Sequence, residues 1–191
     1  MLPSLNKIST CQSASTQDTI EKWNQVLDYA STNPNATIRY HKSNMILMTY
    51  TYATYLILPE DRSRIAGNYY FTNLMLDYSK GNPTPTEWRN LKTVVSSLSE
   101  SGTGGTIKNA QNAIPLRYII ETVYLYHQPT KGTPIATNNF TPQGILTSFV
   151  KPRKSKTLNM IYHWLEDRIF QKQIQLIWKQ GICNWYDYFT K

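Results

Sequence analysis

Residues 45–55 read Met-Ile-Leu-Met-Thr-Tyr-Thr-Tyr-Ala-Thr-Tyr and form the most strand-like run of the chain. The run is rich in β-branched and aromatic residues, and it contains neither Gly nor Pro. Polar and turn-forming segments flank it, with His41-Lys-Ser-Asn44 before it and Pro59-Glu-Asp61 after it. It carries no carboxylate. We predict that this run is a central strand of a sheet.

Composition indicates a basic domain with one sizeable core. The chain has 191 residues, of which 40% are hydrophobic, and 20 Lys and Arg residues outnumber 12 Asp and Glu residues to give a net charge of +8. That length and hydrophobic content suit a single core or at most two small ones. The positive charge makes polyanions such as nucleic acid the expected partners. Nothing in the sequence indicates an oligomeric state.

Cysteine content and hydropathy indicate the compartment. The two cysteines, Cys11 and Cys183, are far apart in sequence and provide no disulfide framework. No stretch approaches the ~20 apolar residues of a membrane span, and the first residues lack the apolar core of a signal peptide. We therefore expect an intracellular protein, in the cytoplasm or nucleus, that does not enter a membrane.

Strand and helix patterns follow one another along the chain in an α/β or α+β order. The first helix is predicted to start at Thr16 and to stop at Asn33, with an apolar stripe that includes Val26. The other predicted elements are strands at 36–41, 45–55, 65–72, 89–97, 133–137 and 174–178, a loop at 79–86, and helices at 141–149, 157–173 and 184–189.

The segment from Glu100 to Tyr126 contains conflicting signals. Its second half has a helical apolar pattern, but its first half carries Gly102, Gly104 and Gly105, and Pro115 follows. Each interior Gly costs ~1 kcal/mol relative to Ala and an interior Pro costs ~3 kcal/mol. We therefore expect this helix to be kinked, shortened or frayed at its start.

Two stretches near the ends of the chain carry a recognisable pattern, namely residues 27–41 and the terminal Asn184-Trp-Tyr-Asp-Tyr-Phe-Thr-Lys191. Further matching segments lie between them in order, at 62–67, 94–97, 137–139 and 155–168. Together they resemble the ribonuclease H domain of copia-type retrotransposon polyproteins. The resemblance implies an α/β, ribonuclease H-like fold, with a mixed five-stranded sheet whose first three strands are antiparallel and with helices on both faces. Residues 1–34 resemble the end of the preceding reverse transcriptase region, and residues 35–191 the ribonuclease H domain.

The family's chemistry depends on acids that this chain has mostly lost. Active members cleave the RNA strand of RNA·DNA hybrids with two Mg²⁺ ions held by four carboxylates. Carried over position by position, the four acids fall on Tyr52, Gly102, Asn138 and Asp187, so that only Asp187 is retained. The resemblance therefore implies a degenerate site, for which we expect no bound metal and no cofactor.

The remaining candidate residues indicate binding more than catalysis. Neither the three histidines nor the cysteines have metal-ligand spacing, and each His is expected to be partly exposed. A basic run could neutralise phosphates of a bound duplex, or it could be a solvated loop, and it comprises Lys151, Arg153, Lys154 and Lys156. Trp164, Trp178 and Trp185 are expected to be core or half-buried sheet residues and not stacking platforms.

Three functional hypotheses remain open at this point. The first is an inactive, decayed fragment of the element, and the second is a non-catalytic module that binds an RNA·DNA hybrid or another duplex weakly. The third is a working nuclease that uses acids other than those identified. Restoring the acids as a set is expected to return activity, and Gly102→Glu alone is expected to stabilise the helix slightly.

Overall fold

The structure is a computed structural model that describes residues 2–9, 11–35, 37, 42–58, 62–73, 82–90, 95, 97–146 and 156–180. The predicted elements at 36–41 and 184–189 lie outside this part of the chain, apart from residue 37. Two compact units are present, Met1–Arg39 and Tyr40–Lys191. No helix among the described residues is long and apolar enough to cross a membrane.

The first unit contains α1 (Leu2–Ser9), a short 3-10 helix and α2 (Gln17–Thr32). Thr16 caps α2 through a reciprocal interaction with Thr19, which satisfies free N–H groups of the first turn. At the other end, the backbone and side-chain N–H groups of Asn33 both donate to the carbonyl of Tyr29. The predicted start and stop of this helix are confirmed. Val26 is the buried residue of its apolar stripe.

The second unit consists of one β-sheet and the helices that follow its strands along the chain. Its elements are β1 (Ile46–Leu58), β2 (Arg62–Thr72), β3 (Asn82–Asn90), α3 (Leu98–Thr122), β4 (Thr133–Thr137), α4 (Phe140–Leu146), α5 (Lys156–Phe170) and β5 (Ile174–Trp178). The strand order is β3-β2-β1-β4-β5. Strand β1 pairs antiparallel with β2 and parallel with β4, and β4 pairs parallel with β5. An α/β fold with a mixed sheet and a central β1 is confirmed, as are the bounds of β4 and β5.

Strand β3 corrects the prediction for this region. Residues 79–86 were expected to form a loop and the third strand to span 89–97, whereas β3 runs from Asn82 to Asn90 and contains Pro83 and Pro85. It lies at the edge of the sheet, next to β2. An edge strand has one side without a pairing neighbour, so it tolerates residues that cannot donate a ladder hydrogen bond. Sequence propensity alone did not distinguish such a strand from a loop.

Helix α3 also departs from the prediction, because it is continuous over 25 residues. Gly105 faces the sheet, where a Cβ added to it would lie 3.4 Å from the Cβ of Ala53 and 3.4 Å from Ile65, at the close limit of ordinary contact. The side chain of Ser97 caps the first turn by accepting from the N–H of Glu100. Tight packing and capping therefore offset the low helix propensity of the glycines. Pro115 lies on the exposed side, where the carbonyl left without its N–H partner can be hydrated.

Helices α3 and α5 pack on the same face of the sheet. One buried cluster joins α3 to β1 and β2 and contains Leu47, Tyr69, Ala113 and Ile120. A second cluster joins both helices to β4 and β5 and contains Ala110, Ile135, Leu165 and Ile174. The cluster on the opposite face consists of strand residues: Met48, Tyr50, Tyr70 and Ala136. Helices on both faces remain a prediction.

Candidate functional site

The three positions to which the resemblance assigns lost acids, Tyr52, Gly102 and Asn138, lie near the point where β1 and β4 stop pairing. Strands β1 and β4 are parallel, and their last paired residues are Thr51 and Thr137. Tyr52 and Asn138 each follow by one residue, so they lie where the pairing of β1 with β4 ends, while β1 itself continues to Leu58. Gly102 lies in the first turns of α3, against the residue that follows Asn138. We refer to this region as the strand-end edge.

Gly102 packs against Asn139 so closely that an added Cβ would overlap the Asn139 side chain. The Asn139 amide is held in place from both sides. Its Nδ2 donates to the carbonyl of Ser99 at 2.9 Å, and its Oδ1 accepts from the backbone N–H of Thr141 at 3.0 Å. Asn139 thereby joins the start of α3 to the start of α4. Position 102 has no room for a larger side chain unless Asn139 moves.

Tyr52 belongs to the opposite face of the sheet from α3. Thr51 and Ala53 face α3, since both lie near Gly105. Side chains alternate along a strand, so Tyr52 shares the other face with Tyr50. Gly102 and Tyr52 therefore do not converge on one face.

Ser101 of α3 contacts the C-terminal half of β1. It is fully buried, and its Oγ donates to the carbonyl of Thr54 at 3.1 Å. The resemblance assigned the family's helix acid to Gly102 and gave no role to Ser101. Because neither residue is an acid, the sequence contained no signal that would have pointed to Ser101. The contact attaches the N-terminal turn of α3 to the C-terminal half of β1.

The side chains at these positions do not suit Mg²⁺. Tyr52 offers a phenol, Asn138 an amide and Gly102 no side chain, whereas Mg²⁺ prefers carboxylate oxygens. Among the described residues, no group of three His, Cys, Asp or Glu side chains could hold a metal ion. His127 and His163 are exposed. Asp187 lies outside the described part of the chain.

Tyr162 of α5 is buried against the N-terminal half of α3. Its hydroxyl lies 3.5 Å from Oγ1 of Thr103. Burial raises the pKa of Tyr162, the hydrogen bond with Thr103 opposes this, and the charge of Glu100 adds to the increase. The phenol is therefore held in its neutral form near the start of α3.

A buried hydrogen-bond network fixes the middle of α3 to the sheet. Asn109 donates through Nδ2 to Oγ1 of Thr51 at 2.8 Å and to the carbonyl of Ala66 at 2.9 Å. Its Oδ1 accepts from the hydroxyl of Tyr69 at 3.0 Å. Both amide hydrogens and the amide oxygen are thus used, as buried polar groups require. Gly67 makes room for this side chain, because a Cβ there would overlap Asn109.

An aromatic pair lies at the end of β5. The rings of Phe140 and Trp178 have centroids 6.0 Å apart and planes at 88°, and the residues are 47% and 40% exposed. Trp178 Nε1 donates to the carbonyl of Asn138 at 3.2 Å. Trp178 was expected to be a core or half-buried residue and is instead exposed. Among the described strands β5 is the last of the sheet, and its position at the edge is consistent with an exposed side chain at its end.

The predicted basic run is described only at its end. Lys151, Arg153 and Lys154 lie outside the described residues, and Lys156 is the first residue of α5. Helix α5 leads through a short turn into β5, and Leu165 and Ile174 share a core cluster. The two elements therefore run in opposite directions, which places the backbone of Lys156 at the same end as Trp178.

Comparison with known proteins identifies the fold. No family model and no curated protein sequence matches the chain. Among solved structures, it is similar to the N-terminal ribonuclease H domain of Rv2228c from Mycobacterium tuberculosis, with a TM-score of 0.52, 11% identity and coverage of 76% of this chain and 91% of that one. It is also similar to LC11-RNase H1 in complex with an RNA/DNA hybrid, with a TM-score of 0.52, 10% identity and coverage of 75% and 92%. The chain therefore contains a domain with a ribonuclease H-like fold.

Proposed function

We propose that the chain is a catalytically inactive ribonuclease H-like domain derived from a copia-type retrotransposon polyprotein. Its matching segments occur in the family's order along almost the whole chain. The observation that carries the proposal is the absence of a carboxylate at Tyr52, Gly102 and Asn138. The proposed setting is intracellular.

The loss of these acids removes the means of cleavage. Two-metal hydrolysis needs ions that activate a water and stabilise the leaving oxygen, and hard ions are retained by carboxylates. Tyr52 offers a phenol on the face away from α3, Asn138 offers an amide, and Ser101 offers a buried hydroxyl on the α3 side, so none of these groups is a carboxylate. Asp187 would add one carboxylate, and a single carboxylate carries too little charge to replace the water ligands of two Mg²⁺ ions.

Weak duplex binding is a second candidate function, favoured by the net charge of +8. Phosphate contacts are independent of base sequence and need only positive charge near the backbone. The basic run at Lys151, Arg153, Lys154 and Lys156 would supply part of that charge. A similar ribonuclease H1 is described in complex with an RNA/DNA hybrid. We extend that partner class to this chain as a proposal.

Two titrations test these proposals separately. A calorimetric titration with Mg²⁺ should give no saturable binding, and tight binding would overturn the loss of the metal site. A titration with a labelled RNA·DNA hybrid should give weak binding that falls steeply as salt rises, with a log–log slope of roughly −0.9 per neutralised phosphate. The double variant Lys154→Ala/Lys156→Ala should lower that slope. Affinity that stays constant between low and physiological salt would exclude electrostatic binding.

A further inference from the structure

The Phe140–Trp178 pair has the features of a stacking surface. The indole is held in a fixed orientation, because its N–H is bonded to the carbonyl of Asn138. Phe140 meets it at 88°, and a perpendicular ring covers at most one of the two faces of the indole. With 40% of Trp178 exposed, apolar ring surface remains open to solvent. Little side-chain conformational entropy is lost when a flat ring stacks on an aromatic side chain that is already held rigid.

The surroundings of the pair favour an anionic partner. The chain carries a net charge of +8, and Lys179 directly follows Trp178. The backbone of Lys156, at the end of the predicted basic run, lies at the same end of the α5–β5 unit. Nucleic acid combines a flat aromatic ring with a negative backbone, and this combination matches exposed aromatic side chains beside positive charge.

Duplex geometry limits which base could reach the pair. In a duplex each base is covered by its neighbours in the stack, so only base edges and the phosphate backbone face a protein. Inside a duplex no base face is open, so apart from a terminal base pair only an unpaired base can fill a ring face of Trp178. The pair lies beside Asn138, at the same strand-end edge as the degenerate nuclease positions.

We propose that Phe140 and Trp178 form a platform that stacks an unpaired base of single-stranded nucleic acid at the strand-end edge. The inference rests on the proposed nucleic-acid binding of this chain and deepens it by naming the strand state that the pair recognises. Trp178 supplies the open ring face, and Phe140 supports the ring from its side. Stacking of this kind is tolerant of sequence because every base has a flat aromatic face.

The test compares two probes on the same protein, a labelled single-stranded oligothymidylate and a long RNA·DNA hybrid in which internal sites far outnumber the two ends. Trp178→Ala should weaken oligothymidylate binding by about 5- to 100-fold, as expected when one stacked base is lost, and leave hybrid binding unchanged. Trp178→Phe keeps a ring and should retain most of the affinity. Phe170→Ala is the matched control, because Phe170 is exposed at the opposite end of α5. It should change neither affinity.

The outcomes separate this inference from the function on which it rests. Wild-type oligothymidylate affinity in Trp178→Ala overturns the platform, and so does an equal loss of both probes, because Trp178 would then act through the fold. A protein that binds the hybrid but not the oligothymidylate also overturns it and leaves duplex binding intact. A protein that binds only the oligothymidylate, through Trp178, supports the platform and overturns duplex binding. Failure to bind either probe overturns both.

Discussion

Gly102 of α3 and Asn139, which precedes α4, are packed so closely that a Cβ at position 102 would overlap the Asn139 side chain. The amide of Asn139 is in turn bonded to the carbonyl of Ser99 and to the N–H of Thr141. The contact therefore joins three segments around the strand-end edge. It also means that an acid cannot simply be restored at position 102.

Gly102→Ala should destabilise the protein by about 1–3 kcal/mol. Replacing a helical Gly by Ala would by itself stabilise by about 1 kcal/mol. Here the added methyl displaces Asn139, whose two hydrogen bonds are strained or lost, and overpacking alone costs about 1–3 kcal/mol. Urea unfolding measures the difference. The slight stabilisation expected from the sequence for Gly102→Glu is therefore reversed by the structure.

A double-mutant cycle tests the cause of that loss. Asn139→Gly removes the overlapping atoms, so Gly102→Ala should cost less in the Asn139→Gly background than in the wild type. Equal costs in the two backgrounds would show that Asn139 is not the obstacle.

Asn109→Ala should lower the free energy of unfolding by about 2–4 kcal/mol. The change removes the shared partner of Thr51 Oγ1, the carbonyl of Ala66 and the hydroxyl of Tyr69. The Tyr69 hydroxyl keeps its hydrogen bond from Asn112, and each buried group that is left unsatisfied costs about 1–3 kcal/mol. Asn112→Ala is the control, because Asn112 is only partly buried and donates to Tyr69. Its cost should be about 1 kcal/mol or less. Similar losses in the two variants would mean that the network does not anchor α3.

Tyr162 should make stability depend on pH in alkaline solution. Burial raises its folded-state pKa above the ordinary value of 10.0, so the folded protein holds the proton more tightly than the unfolded chain does. This contribution is fully present below the unfolded-state pKa and is lost as the pH rises through the folded-state pKa. Urea unfolding just below and above that window measures it.

Tyr162→Phe should reduce the alkaline loss of stability, because phenylalanine has no proton to release. Tyr118→Phe, at a residue that is 67% exposed, should leave the loss as it is in the wild type. An unchanged loss in Tyr162→Phe would refute the role of this phenol.

Local patterns were sufficient to predict the strands with regular sequence signals. Strands β4 and β5 match their predicted bounds, and the start of α2 follows from its Thr16 cap. The errors occur where tertiary context overrides propensity. The glycines of α3 are poor helix formers in isolation, but tertiary contacts hold the helix, with Gly105 packed on the sheet and Gly102 on Asn139. The prolines of β3 are tolerated because that strand lies at the sheet edge.

The contacts of the candidate site could not be predicted, because they join residues that are distant in sequence. Asn109 and Thr51 are separated by 58 positions, and Ser101 and Thr54 by 47. Residue type alone does not reveal such pairs. The sequence shows directly that position 52 carries no acid. It did not predict that Tyr52 and α3 lie on opposite faces of the sheet.

The central proposal is that the strand-end edge cannot support metal-dependent cleavage. The most direct measurement is a time course of cleavage of an end-labelled RNA·DNA hybrid by the unmodified chain with Mg²⁺. We expect no cleavage above that of a chelator-treated sample, because Tyr52, Gly102 and Asn138 supply no carboxylate. Cleavage that requires Mg²⁺ and stops on addition of chelator would contradict the proposal and would show that other acids hold the metal.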